Sequence, residues 1–152
     1  MKVYAIGSDH AGYEMRLSIK AYLESRGFSV EDFGTFNREK SNYPEIADVV
    51  ANKVAAGGYE GGILICGTGV GMSLAANKVR GIRAACVSEP YSARMCKEHN
   101  NANVICFGAR VVGIEIAKMI VDEWIGHEFQ GGRHQTRVDM ITKIEKDGHL
   151  DQ

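Results

Sequence analysis

The sequence predicts an α/β fold, a three-layer sandwich around a five-stranded parallel sheet with an additional C-terminal helix. Three observations carry this expectation. Short apolar runs alternate with amphipathic stretches along the whole chain, as in successive strand–helix–strand units. The central runs, Gly62–Cys66 and Asn103–Phe107, are apolar throughout rather than alternating, as strands covered on both faces are. The 152 residues contain two prolines and no repeat, linker or low-complexity tract. One domain spanning 1–152 is therefore expected, long enough to bury about 68–70% of the surface of its unfolded chain.

The first strand is Val3–Gly7, running into Ser8-Asp9-His10. Met15, Ile19, Tyr22 and Leu23 recur at helical spacing, and Gly27 ends that helix. Phe28–Phe33 alternates as a second strand, and the polar loop Gly34–Asn42 leads to Tyr43-Pro44. Ile46, Val49, Val50 and Val54 mark the next helix, stopped by Gly57-Gly58. Gly62–Cys66 is the third strand, and Gly67–Gly71 opens a helix running toward Lys78. Ile82–Val87 and Asn103–Phe107 read as the fourth and fifth strands, with Pro90–His99 a helix between them. Ala117, Ile120, Val121 and Trp124 give a further helix. The last runs from about Arg133 to Lys146, with Val138, Ile141 and Ile144 on its apolar side, and the tail beyond carries no motif. Right-handed crossovers make this a Rossmann-like arrangement with its site at the carboxyl ends of the strands. That rule selects Ser8-Asp9-His10, Cys66–Gly71, Ser88-Glu89 and Gly108-Ala109-Arg110.

Eighteen Lys and Arg against nineteen Asp and Glu leave a net charge of −1. Nucleic-acid and anionic-membrane binders carry a basic excess, so neither partner is expected. No apolar run approaches the roughly 18 residues of a bilayer span. The N-terminus reaches an acid and a histidine by residue 10, leaving no room for a signal peptide. A cytoplasmic protein is expected. Cys66, Cys86, Cys96 and Cys106 are spaced too widely for a CxxC zinc pair. Three of them lie in apolar segments typical of buried strands, so four reduced thiols are expected.

The strongest local signal is Cys66-Gly67-Thr68-Gly69-Val70-Gly71. It follows an apolar strand and opens a helix, where backbone N–H groups and the helix dipole favour an anion. A dinucleotide loop is one reading, with Glu89 twenty residues after Gly69 as the ribose acid. The spacing is GxGxG rather than GxGxxG, however, and the loop follows the third strand instead of the first. It also leaves Cys66 without a role. A thiol between a strand end and a helix N-terminus should have a lowered pKa, and glycine amides beside it can stabilise a developing enolate. Asp9-His10 ends the first strand at the same edge; such pairs also occur as purely structural hydrogen-bonded couples. His99-Asn100 ends a helix, where a C-cap is the plain reading of Asn100 and acid–base work a second reading of His99. Arg133 and Arg137 are one helical turn apart, suited to a phosphate or simply to a solvated basic face. Arg110, after the fifth strand, can join them.

Seven motifs together resemble the type B ribose-5-phosphate isomerases, a family shared with allose-6-phosphate and galactose-6-phosphate isomerase subunits. They are Gly7-Ser8-Asp9-His10-Ala11-Gly12, Asn42-Tyr43-Pro44, Ile65–Gly71, Ala75-Ala76-Asn77-Lys78, Glu98-His99-Asn100, Gly108-Ala109-Arg110 and Gly131-Gly132-Arg133-His134-x-x-Arg137. They occur in the family's order and span nearly the whole chain. The resemblance implies aldose–ketose isomerisation of a sugar phosphate, without metal or organic cofactor, in homodimers or dimers of dimers. It implies that Cys66 is the base, assisted by Thr68, and that the Gly67, Thr68, Gly69, Val70 and Gly71 amides hold the enediolate. His99 is implied in ring opening, with Asp9 and Tyr43 on sugar hydroxyls and Asn100 as a further contact. His10, Arg110, Arg133 and Arg137 correspond to the phosphate set, and His99, Asn100 and Arg110 to residues of the neighbouring subunit. One branch of the family replaces the cysteine with a glutamate at position 72; Met72 and Cys66 put this chain in the cysteine branch. Ser8 receives no role. Three alternatives are a six-carbon substrate, a non-catalytic sugar-phosphate or nucleotide-binding module, and a cofactor-dependent oxidoreductase.

Overall fold

In the computed structural model, residues 2–151 are described; Met1 and Gln152, the ends of the expected 1–152 domain, lie outside the described residues. Five strands, β1 (Val3–Ser8), β2 (Ser29–Asp32), β3 (Gly61–Cys66), β4 (Ala84–Cys86) and β5 (Val104–Gly108), form one sheet in the order β2-β1-β3-β5-β4. Every pairing is parallel, with Ile6 beside Ile63 and Cys66 beside Gly108. The order reverses between β1 and β3, so the carboxyl ends of those strands flank a topological switch point. The expected α/β sandwich is the observed one.

Six α-helices among the described residues complete it: α1 (Tyr13–Ser25), α2 (Tyr43–Ala56), α3 (Val70–Ala76), α4 (Pro90–Glu98), α5 (Ile114–Ile125) and α6 (Arg133–Asp147). The sheet separates two cores. On one face Ile19 and Leu23 of α1, Ala93 of α4, and Ile120 and Trp124 of α5 pack against Tyr4, Ile6, Ile63 and Ile105. On the other, Ala47, Val50 and Val54 of α2 and Met72 and Ala76 of α3 pack against Ala5, Leu64 and Val104. Residues of β3 and β5 are buried throughout, which explains their unbroken apolar sequence. Gly61 and Gly62 admit the Trp124 ring and the Val50 and Val54 methyls, where a Cβ would lie 2.6–3.0 Å from them.

Several expectations need correction. The fourth strand is Ala84–Cys86 rather than Ile82–Val87, because it is an edge strand with a ladder partner on one side only. Cys86 is consequently exposed, and the third buried thiol is the helical Cys96. The third helix begins at Val70, since Gly69 takes a left-handed conformation (φ +82°) and Gly67–Gly69 form a turn. On α2, Val49 faces outward while Val50 is buried. On α6, only Val138 of the expected apolar stripe is buried; Ile141 and Ile144 remain 48% and 44% exposed.

Candidate active site

The carboxyl ends of β1, β3 and β5 converge on the loop after Cys66. The Cys66 sulfur is buried and accepts the Gly69 N–H at 3.1 Å. Close backbone packing fixes this turn. A Cβ on Gly69 would sit 2.7 Å from the Phe107 Cα, and one on Gly108 would meet the Thr68 backbone at 2.5 Å. Ala109 and Arg110 donate their N–H groups to the carbonyls of Cys66 (2.9 Å) and Gly67 (3.0 Å). Thr68 Oγ1 accepts the Val70 N–H at 3.2 Å. The Gly71 and Met72 amides have no acceptor among the described residues, so donors at the start of α3 remain available to an anion. Where Gly71 lacks a side chain, the Tyr43 ring packs; a Cβ there would lie 2.6 Å from its Cζ.

Asp9 follows β1 at the same edge. Its Oδ1 caps a 3-10 turn (His10–Gly12), accepting the Ala11 and Gly12 N–H groups at 3.0 and 3.2 Å, and no bond among the described residues uses Oδ2. His10 is held from the β2–α2 loop. Its N–H donates to Ser41 Oγ (3.0 Å), and the Ser41 N–H donates to its Nδ1 (3.2 Å). That bond makes Nδ1 the acceptor and leaves the ring proton on Nε2. Sequence reasoning missed Ser41, because a contact between residues 31 apart has no local signature.

His99, Asn100, Arg133 and Arg137 gather elsewhere. The His99 ring stacks on the buried His134 ring, 4.1 Å between centroids and 9° from parallel. Gln130 ties the segment before α6 to the end of α4, donating its N–H to the Glu98 carbonyl at 3.0 Å and its side-chain amide to the Glu98 carboxylate at 3.1 Å. Arg133 and Arg137 lie exposed on the first turns of α6. Burial, His99 and the two arginines all push the His134 pKa down, which favours its neutral form. Asn100 is not the helix-ending left-handed residue; Asn101 takes that conformation at φ +50°. Asn100 instead lines a groove of about 680 Å³ between Ile141 and Ile144 of α6 and the Ile82–Ala85 edge.

Topology separates the two groups. Crossover helices run antiparallel to their strands, so α4 ends at the amino edge of the sheet, opposite Cys66. Accordingly, Asn103, just after His99-Asn100, contacts Gly62 near the start of β3. The six residues of β3 span about 17 Å between the edges. Cys66, Thr68, Asp9, His10 and Tyr43 thus form one half-site, and His99, Asn100, Arg133 and Arg137 another. Arg110 stands beside Gly67 of its own chain, its Nη1 3.5 Å from where a Gly67 Cβ would be, although the resemblance places it on the neighbouring subunit. Glu89 does not await a ribose: it caps α4 by accepting the Ser92 N–H at 2.9 Å. Among the described residues, no cluster of three or more metal-binding side chains occurs and no helix is long and apolar enough to cross a membrane.

Comparisons with known proteins identify the family to which this fold belongs. Residues 4–141 match the family model described as Ribose/Galactose Isomerase. Ribose-5-phosphate isomerase B of Escherichia coli (strain K12) is 56% identical over 146 residues, covering 96% of this chain and 98% of its own. The ribose-5-phosphate isomerase B structure from Clostridium thermocellum superposes with a TM-score of 0.94 at 51% identity, covering 96% of this chain and 99% of that one. The Mycoplasma genitalium enzyme, solved with bound ribulose-5-phosphate, superposes at 0.92 with 41% identity over 95% and 97% of the two chains. With a family model matched across nearly its whole length, the chain belongs to the ribose/galactose isomerase family.

Proposed function

We propose that this protein interconverts D-ribose 5-phosphate and D-ribulose 5-phosphate through a cis-enediol(ate), as in the non-oxidative pentose phosphate pathway. The observation that carries the reading is the Cys66 sulfur, at the end of a buried strand with an amide donor on it and uncommitted amides in the next turn. As a thiolate, Cys66 takes the proton from C2 of the open-chain aldose and returns it to C1. Within Gly67–Gly71 the Gly69 and Val70 N–H groups already meet Cys66 Sγ and Thr68 Oγ1. The Gly67, Thr68 and Gly71 amides therefore carry the charge that develops on oxygen, where fixed dipoles need no reorganisation, and Thr68 assists at the sugar oxygen. Asp9, through its free Oδ2, and Tyr43 orient hydroxyls. The Nε2 proton of His10, with Arg110, Arg133 and Arg137, holds the phosphate. His99 opens the furanose ring, and Asn100 makes a further sugar contact. No metal or organic cofactor enters these steps.

The same reading requires a second chain. The half-sites lie on opposite sheet edges, so one complete site takes Cys66 from one protomer and His99 from its partner. A homodimer, alone or as a dimer of dimers, meets this need, and the half-exposed Ile141 and Ile144 offer apolar surface for it. Four unpaired cysteines suit a reducing cytoplasm. The deciding experiment is conversion of ribose 5-phosphate to ribulose 5-phosphate by purified protein in EDTA, beside Cys66→Ala. Turnover that survives the chelator and collapses in the variant is expected. A wild type inactive on this substrate overturns the five-carbon assignment and directs the assay to allose 6-phosphate and galactose 6-phosphate.

A further inference from the structure

We propose that Arg16 is a positioning residue for substrate binding, holding Asp9 and His10 in place through Ser8 and the loop after β2. The proposal rests on the reading that Asp9 and His10 grip the sugar phosphate. Arg16 is 1% exposed on the face of α1 that also buries Ile19 and Leu23. A guanidinium out of water is costly unless it is paired, and here Nε and Nη1 find partners in two directions. Nε faces both Asp32 carboxylate oxygens, at 3.1 and 3.2 Å, and Nη1 donates to Ser8 Oγ at 2.8 Å. The Tyr13 and Phe36 rings approach it at 5.0 and 5.9 Å. A planar fork can serve a carboxylate and a hydroxyl at once, which a lysine cannot do in the same way.

Two routes lead from this guanidinium to the candidate site. The first is direct. Ser8 is wholly buried and is held at three points: its Oγ by Arg16, its N–H by the Gly34 carbonyl at 2.6 Å, and its carbonyl by the Thr35 N–H at 2.6 Å. The next residue is Asp9. The second route runs through Asp32, whose Oδ1 accepts the Gly34 N–H at 2.9 Å. This anchors the start of the loop whose far end, Ser41, clamps His10 from two sides. An apolar residue of similar volume typically stabilises a core as well as a buried ion pair does. The ionic device stands where β1 turns into Asp9-His10, and there it fixes direction.

The test uses Ser8→Ala, Arg16→Gln and Arg16→Lys in the full chain, with steady-state kinetics on ribose 5-phosphate, calorimetric titration of inorganic phosphate, and Tm. Loss of one charge-assisted hydrogen bond predicts that Ser8→Ala raises KM about tenfold and weakens phosphate binding similarly. kcat should stay within about twofold, because the enediolate donors and Cys66 are untouched. Arg16→Gln should match or exceed this, Arg16→Lys should recover part of it, and adding Ser8→Ala to Arg16→Gln should cost little more. If Arg16→Gln fails to fold, Ser8→Ala decides. Variants that lower Tm while keeping wild-type KM and phosphate affinity overturn the proposal, as does a fall in kcat at constant KM. A wild type that does not turn over ribose 5-phosphate overturns the proposed activity instead, and phosphate affinity alone then decides the role of Arg16.

Discussion

At residue scale the four cysteines divide by environment. Burial pushes the Cys96 thiol up to about 11 and that of Cys106 well above its usual value. Burial and the neighbouring Cys66 also raise Cys86, despite its exposure. Those three stay protonated at neutral pH and make poor bases. Among the described residues, Cys66 alone has an amide donor on its sulfur. General-base catalysis contributes about 10²–10⁴-fold, so Cys66→Ala should lose at least about a hundredfold in kcat with KM near wild type. Arg137→Ala should fail differently. Removing a charge-assisted contact of about 1.5–3 kcal/mol raises KM by roughly 10- to 150-fold. Equal KM effects in steady-state assays of the two variants, with kcat untouched, would contradict both roles. Cys66 was legible in the sequence because strand end, glycine turn and helix start are local features. Arg16 was not: its partners Ser8 and Asp32 belong to other strands, and in the sequence it is only a charge among apolar positions.

At the scale of elements, the β3–α3 turn shows how local sequence and tertiary packing divide the work. Three glycines in five residues announced a tight turn, but which of them the fold cannot replace depends on β5. Gly69 combines φ +82° with a Cβ position 2.7 Å from Phe107. Backbone strain of about 1–3 kcal/mol is expected for Gly69→Ala before the clash is counted. At about 2–4 °C per kcal/mol, Tm should fall by roughly 2–12 °C, and kcat should fall with it as the amide leaves the Cys66 sulfur. Scanning calorimetry and turnover check the pair; an unchanged Tm would mean that the turn relaxes freely. The α4–α6 junction gives a pH prediction. The folded His134 has a pKa below its ordinary 6.5, so the unfolded chain takes up the proton first as pH falls. Its stability contribution is complete above 6.5 and is lost as pH drops through the lower folded value. Urea midpoints should therefore fall more steeply on the acid side for wild type than for His134→Phe, which keeps a ring against His99. The sequence marked His134 as part of a motif, while its stacking partner was visible only in three dimensions.

At the scale of the whole molecule, the fold answers a question that the spacing of motifs left open. The strand–helix alternation was legible because each element carries its own periodicity, and the edge position of β4 was not, because ladder order is a long-range property. Topology then decides which motifs can meet. A helix that crosses back over a parallel sheet ends at the amino edge, and about 17 Å of β3 separates His99 from the level of Cys66. With the roles proposed above, neither half-site suffices alone, and a two-fold dimer supplies two complete sites. Complementation tests this directly. A chain with Cys66→Ala and a chain with Arg133→Ala and Arg137→Ala should each be nearly inactive at substrate well below the wild-type KM. In a mixed dimer one site collects all the defects, while the other pairs an intact Cys66 with intact arginines. Random re-association makes about half of the dimers mixed with one working site in two, so about one quarter of wild-type activity should return. Activity no greater than the sum of the separate variants, with mixed dimers present by native mass spectrometry, would place all of the groups within one chain and contradict the shared site.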